Sequence, residues 1–199
     1  MTTSRAGPRV FLVRHGETEW SSTGKHTGRT DVPLTDHGRA QALALRAKLG
    51  ERSFALVLTS PLARAHETCR LIGLAEAAVT EPDLAEWDYG VYEGRRTLDI
   101  RETIPGWTVW THPIEAGEAV GEVGARADRV IARVEDANGD VALFGHGHQL
   151  RILAARWIGL EPAAGRRFAL ATATVSVLGW ERETRVLESW NEACAIPRG

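Results

Sequence analysis

The chain has 199 residues, enough for a single domain spanning residues 1–199 with a sizeable core. Its 43% hydrophobic and 25% charged residues exclude disorder, and a net charge of −2 leaves no basic footprint for nucleic acid. Two isolated cysteines, a polar Met1–Pro8 stretch without an apolar signal core, and the lack of any membrane-length apolar run give the expectation of a cytoplasmic protein without membrane association.

In chain order, Val10–Val13 is a short apolar run that reads as a buried strand. It stops at Arg14-His15-Gly16. Thr18–Pro33 is polar and rich in glycine and threonine, a loop long enough to suggest function. Thr35 is a good N-cap for a helix to Leu49, closed by Gly50, with Ala40, Leu43 and Ala47 on one face. Phe54–Thr59 is a second buried strand. Ser60-Pro61 then reads as N-cap and first-turn proline of a helix to about Leu74 that carries Arg64. Val79-Thr80 is a short strand. Asp83–Gly94 is a loop with buried aromatics, Arg96–Ile104 a short helix, and Trp107–Gly117 irregular.

Val120, Val123, Ala127, Val130, Ile131 and Val134 mark a strongly amphipathic helix. Asn138-Gly139 turns the chain into the strand Val141–Phe144, which stops at Gly145-His146-Gly147-His148. Gln149–Ile158 is an apolar helix. Thr172–Trp180 and Arg185–Trp190 read as a strand hairpin. Strands alternating with helices predict an α/β fold, a mainly parallel sheet with an antiparallel edge. An exposed edge strand could support a homodimer.

Three strands thus end in cationic or imidazole residues: Arg14-His15, Arg64 shortly after Ser60, and His146. In a parallel sheet these ends lie on the side where ligands bind. A helix starting near Ser60 would aim free N–H groups at the same edge. Two guanidiniums, two imidazoles and a helix N-terminus favour a dianion. A neutral imidazole is a competent nucleophile toward phosphorus, and arginines can neutralise the equatorial oxygens of a transferring phosphoryl group. The leaving alkoxide needs a proton. Glu86 is the candidate donor, because its neighbours Leu84, Trp87 and Tyr89 would desolvate it and raise its pKa.

Arg14-His15-Gly16-Glu17-Thr18 resembles the signature of the histidine phosphatase superfamily, with its three-layer phosphoglycerate mutase-like fold and helices on both faces of the sheet. The likeness extends over nearly the whole chain. Thr27-Gly28 with Leu34-Thr35-Asp36-His37-Gly38 resembles the phosphate loop and its following helix. Ser60–Thr68 resembles the second arginine motif, Leu84–Gly90 the acid-bearing loop, and Gly145-His146-Gly147 the second-histidine motif. The resemblance implies a phosphomonoesterase acting on a small phosphorylated metabolite, without metal or cofactor. His15 would be phosphorylated; Arg14, Arg64 and His146 would bind the phosphoryl group; Thr27-Gly28 would add contacts; Glu86 would give and take the proton. Ser21, and Gly147 after the second histidine, stand where mutases of the family usually have asparagine, which favours a phosphatase over a mutase. The branches nearest in pattern are actinobacterial acid phosphatases and sugar bisphosphatases.

Competing readings are a phosphoglycerate mutase, a narrowly specific sugar (bis)phosphatase, a metal-dependent hydrolase and a non-catalytic phosphate-binding module. Seven histidines invite the metal reading, but no helical two-histidine motif or metal-type cysteine spacing accompanies them. His26, His37, His112 and His148 read as surface or loop residues. Trp20, Trp87, Trp107 and Trp110 read equally well as core or as the wall of a leaving-group pocket.

Overall fold

The computed structural model describes residues 7–49 and 51–196. Gly50, expected to close the second helix, and residues 1–6 of the polar N-terminal stretch lie outside them. One six-stranded sheet has the order β3-β2-β4-β1-β5-β6, with β1 Val10–Arg14, β2 Leu56–Thr59, β3 Ala78–Thr80, β4 Val141–Gly145, β5 Thr174–Glu181 and β6 Thr184–Ala193. β3, β2, β4 and β1 run parallel, and β5 and β6 are antiparallel, as the α/β pattern predicts. β3 and β6 are the outer strands of the sheet, the edges to which the homodimer expectation refers.

Alternation along β1 sorts the core into two layers. Val10 and Leu12 face the packed pair α5 (Val120–Glu135) and α6 (Gly147–Trp157). Phe11 and Val13 face α2 (Asp36–Leu49) and α3 (Ala63–Ile72). Helices therefore cover both faces, and Val10–Val13 of β1 and the whole of β4 are apolar and buried because neither face meets water there. The α5 residues read as a stripe are all buried except Val120, which is partly so.

Several expectations are corrected. The buried face of α2 is Gly38, Ala42, Leu45 and Leu49, while Leu43 is half exposed; the stripe i, i+4, i+7, i+11 outweighs the one drawn through Leu43. Phe54 precedes β2 and packs its ring edge-on against Phe11. α1 (Glu19–Thr23) occupies part of the expected loop, its first turn closed by a reciprocal Thr18–Ser21 capping box. α3 starts at Ala63, not after Ser60, and its first N–H is taken by the Asp31 carboxylate at 3.0 Å. The Ala63 N–H is thus already taken, and no residue of 60–64 lines the cavity described below. A further short helix, α4, spans Thr97–Arg101.

Candidate active site

Register brings the strand ends together. Arg14 pairs with Gly145, and Thr59 with Phe144. The next residues, His15, Ser60 and His146, leave the sheet side by side. The His15 and His146 rings lie 5.1 Å apart, centroid to centroid.

Hydrogen bonds fix the tautomer of each ring. His15 Nδ1 lies 2.7 Å from the Gly16 carbonyl oxygen, which can only accept, so Nδ1 carries the proton. Nε2 then holds a free lone pair. Burial, with the Arg14 and Arg64 guanidiniums nearby, holds the His15 pKa well below the usual histidine range, so the ring is neutral. His146 Nδ1 accepts from Arg64 Nε at 3.2 Å, so its Nε2 bears the proton and donates to Ser60 Oγ at 2.7 Å. Burial and the neighbouring Arg64 keep this ring neutral too.

The two arginines have different positions. Arg14 lines a cavity of about 390 Å³ together with His15, Ser21, Thr27, Glu86 and Gly147. One of its terminal nitrogens donates to the Leu170 carbonyl at 2.5 Å, and its buried Nε has no partner. A buried guanidinium that lines a cavity and keeps an unsatisfied N–H favours an oxyanion there. Arg64 is fully buried and does not line the cavity. It donates to His146 and to the carbonyls of Thr27, Gly28 and Thr30, which takes four of its five N–H groups. As found, Arg64 orients His146 and holds the 27–30 loop; only its fifth N–H is left for a phosphate.

Two other candidates also have structural duties. Ser21 reaches the cavity, but its hydroxyl is engaged in the Thr18 capping box. Gly28 lies outside the cavity lining, at a close approach of chains: a Cβ there would sit 2.6 Å from the Trp87 carbonyl oxygen.

Glu86 is buried at the cavity wall, but not in the purely apolar setting its sequence neighbours suggest. Oε1 accepts from the backbone N–H of Trp87 and Gln149, each at 2.9 Å, and Oε2 from that of His148 at 3.0 Å. The carboxylate thus sits at the N-terminus of α6. Oε2, with one N–H partner, is the oxygen with room for a proton.

The sequence reading missed part of the wall. His26 and His148 line the cavity instead of the surface. His148 Nδ1 lies 2.6 Å from the Tyr89 hydroxyl, and burial lowers the pKa of His148 well below normal and that of His26 to about 4. Arg151 also lines the cavity; it follows Gly147 by four positions on α6, and that helical spacing was the signal available for it. The tryptophans divide: Trp87 and Trp107 are core, Trp110 walls the cavity, and Trp20 packs over Gly94.

A family model, the histidine phosphatase superfamily (branch 1), matches residues 10–193. The chain belongs to this superfamily and is a phosphatase. It is similar to an acid phosphatase of Mycobacterium tuberculosis, 46% identical with 90% of each chain covered. It is also similar to sedoheptulose 1,7-bisphosphatase of Saccharomyces cerevisiae, 36% identical over 77% of this chain and 68% of the yeast protein. The solved structure of a Mycobacterium tuberculosis open reading frame product superposes with a TM-score of 0.88 at 44% identity, covering 94% of this chain and 98% of that one. The family match agrees with the resemblance of the motifs and with the three-layer fold.

Proposed function

We propose that the chain hydrolyses small phosphate monoesters through a phosphohistidine at His15, without a metal ion. The observation that carries this reading is the neutral, Nδ1-protonated His15, which leaves Nε2 with a lone pair, on the wall of a cavity that Arg14 also lines. Nε2 attacks phosphorus, the P–O ester bond breaks, and the leaving oxygen takes a proton from Glu86. Water then attacks the phosphorus while Glu86 takes its proton, the P–Nε2 bond breaks to return the lone pair to His15, and inorganic phosphate departs. Arg14 supplies charge to the phosphoryl oxygens throughout. Thr27 adds a cavity-wall contact, and His146 reaches the phosphoryl group once Ser60 gives up its bond. Hydrolysis instead of mutase transfer is supported at Ser21 and Gly147, where a committed hydroxyl and a bare Cα replace amide side chains. Free Cys69 and Cys194 suit a reducing cytoplasm.

The test is phosphate release from an aryl phosphate with excess chelator present, comparing wild type with His15→Ala. The expected result is chelator-resistant turnover that falls by about four orders of magnitude in the variant, with a phosphoenzyme trapped by alkaline quench in wild type and none in the variant. Chelator-sensitive turnover would remove the metal-free reading, and a phosphoenzyme in His15→Ala would remove the nucleophile.

A further inference from the structure

Arg14 is held in the cavity by very little. Its Nη1 donates to the Leu170 carbonyl, and among the described residues its side chain makes no other hydrogen bond and no ion pair. Leu170 lies in residues 168–173, between the short helix Pro162–Arg167 and β5, in neither helix nor strand. Regular structure therefore does not aim that carbonyl. The Leu170 C=O and the Ala171 N–H belong to one planar trans peptide, so the two point in opposite directions. The Ala171 N–H donates to Asn191 Oδ1 at 2.7 Å. Arg14 and Asn191 thus grip the two ends of one peptide group.

We propose that Asn191, on the outer strand β6, is a positioning residue for the phosphoryl-binding arginine: through the Leu170–Ala171 peptide it aims the carbonyl that holds the Arg14 guanidinium in the cavity. The role of Arg14 rests on the phosphatase reading of the site; the relay that holds it does not.

The local backbone is shaped for this contact. Val175 pairs with Glu192 and Val177 with Ser189, so Trp190 and Asn191 together face Ser176, a bulge of two residues against one. Asn191 has φ +61°, a left-handed conformation that asparagine tolerates better than most side chains, and its own N–H is taken by Ser176 Oγ at 2.9 Å. Its neighbour adds to the hold. Trp190 Nε1 donates to the Ala169 carbonyl, and its ring packs 5.3 Å from that of Phe168, centroid to centroid. Asn191 does not line the cavity, whereas Leu170 and Arg14 do. Hydrogen bonds at the two ends of one amide polarise it, so each strengthens the other. Ala171 is exposed. Without Oδ1 its N–H would turn to water, the peptide would rotate, and the Leu170 carbonyl would leave Arg14.

The relay can be read with and without a ligand. In ligand-free enzyme carrying isotope-labelled arginine, the Arg14 Nη protons, assigned by their loss in Arg14→Lys, should exchange with water about tenfold faster in Asn191→Gly than in wild type. Glycine takes the left-handed backbone without strain, so this variant removes only the acceptor. Asn191→Ser, whose hydroxyl is one bond short of the Ala171 N–H, carries the same expectation and serves if the glycine variant does not fold. Asn191→Asp restores an acceptor and should stay within about twofold of wild type. Calorimetric titration with inorganic phosphate should follow the same order, with binding about fivefold weaker in Asn191→Gly and restored in Asn191→Asp. Leu187→Ala loosens the same hairpin away from the relay and should lower the melting temperature without either effect. An unchanged exchange rate or an unchanged phosphate affinity in Asn191→Gly would overturn the proposal. So would an Asn191→Asp or Leu187→Ala variant as impaired as Asn191→Gly. A wild type that binds no phosphate would count against the phosphatase reading alone, and the exchange rates would still decide the relay.

Discussion

Glu86 has two roles that pull apart on mutation. Its carboxylate holds three backbone N–H groups at the start of α6 and also faces the cavity. Removing the side chain would strand those donors, at about 1–3 kcal/mol for each buried group left unsatisfied. Glu86→Gln keeps the shape and one carbonyl acceptor but carries no transferable proton. Hydrolysis by Glu86→Gln should slow by about 10²- to 10⁴-fold for alkyl phosphates, whose leaving oxygen needs protonation. A nitrophenyl ester, which leaves as a stabilised anion, should lose far less in the phosphorylation step. Single-turnover rates across a leaving-group series check this. A uniform loss across the series would assign Glu86 to structure alone.

At the scale of elements, the β4–α6 junction sets the site. β4 ends at Gly145, His146 caps α6 without a side-chain bond, and Gly147 is the first helical residue. The Arg14 guanidinium lies flat where a side chain at 147 would begin, with Cζ, Nε and Nη2 at 3.3–3.5 Å from a built Cβ. Gly147→Ala should leave α6 intact, since alanine is the better helix former. It should still push Arg14 by a few tenths of an ångström and raise KM about five- to tenfold. An unchanged KM would show that Arg14 does not depend on this contact. The same junction shows what the sequence could and could not disclose. Strand ends were legible, because apolar runs of four residues, too short for helices and halted by Arg14-His15 and by Gly145-His146, fit strands leaving a buried sheet. So was the amphipathic α5. The cap of α3 was not, because Asp31 reaches Ala63 across 32 positions. Nor was the diversion of Arg64 to the carbonyls of the 27–30 loop, since a motif places a guanidinium without saying which of its N–H groups are free. His26 and His148 looked superficial because nothing local marks a histidine whose neighbours, Tyr89, Trp107 and Trp110, come from other segments.

For the whole molecule, these buried rings tie stability to pH. Burial lowers the pKa of His15, His146 and His148 well below 6.5 and that of His26 to about 4. In the unfolded chain all four titrate near 6.5. Below that pH the unfolded state binds protons that the folded state excludes, so stability falls as pH falls; above it the contribution is fully present. Each such ring costs up to about 1.4 kcal/mol per pH unit, until its folded pKa is reached. Set against a total stability of about 5–15 kcal/mol, four of them make acid unfolding steep. The melting temperature should therefore drop by at least about 5 °C between pH 6.5 and pH 5. Phosphate should reduce the drop, because a bound dianion favours the protonated rings of His15 and His146. His26→Gln should flatten the slope. Scanning calorimetry across that range, with and without phosphate, measures both. A melting temperature that stays level would mean that the rings gain protons in the folded state as readily as in the unfolded one, and the neutral nucleophile at His15 would lose its electrostatic basis.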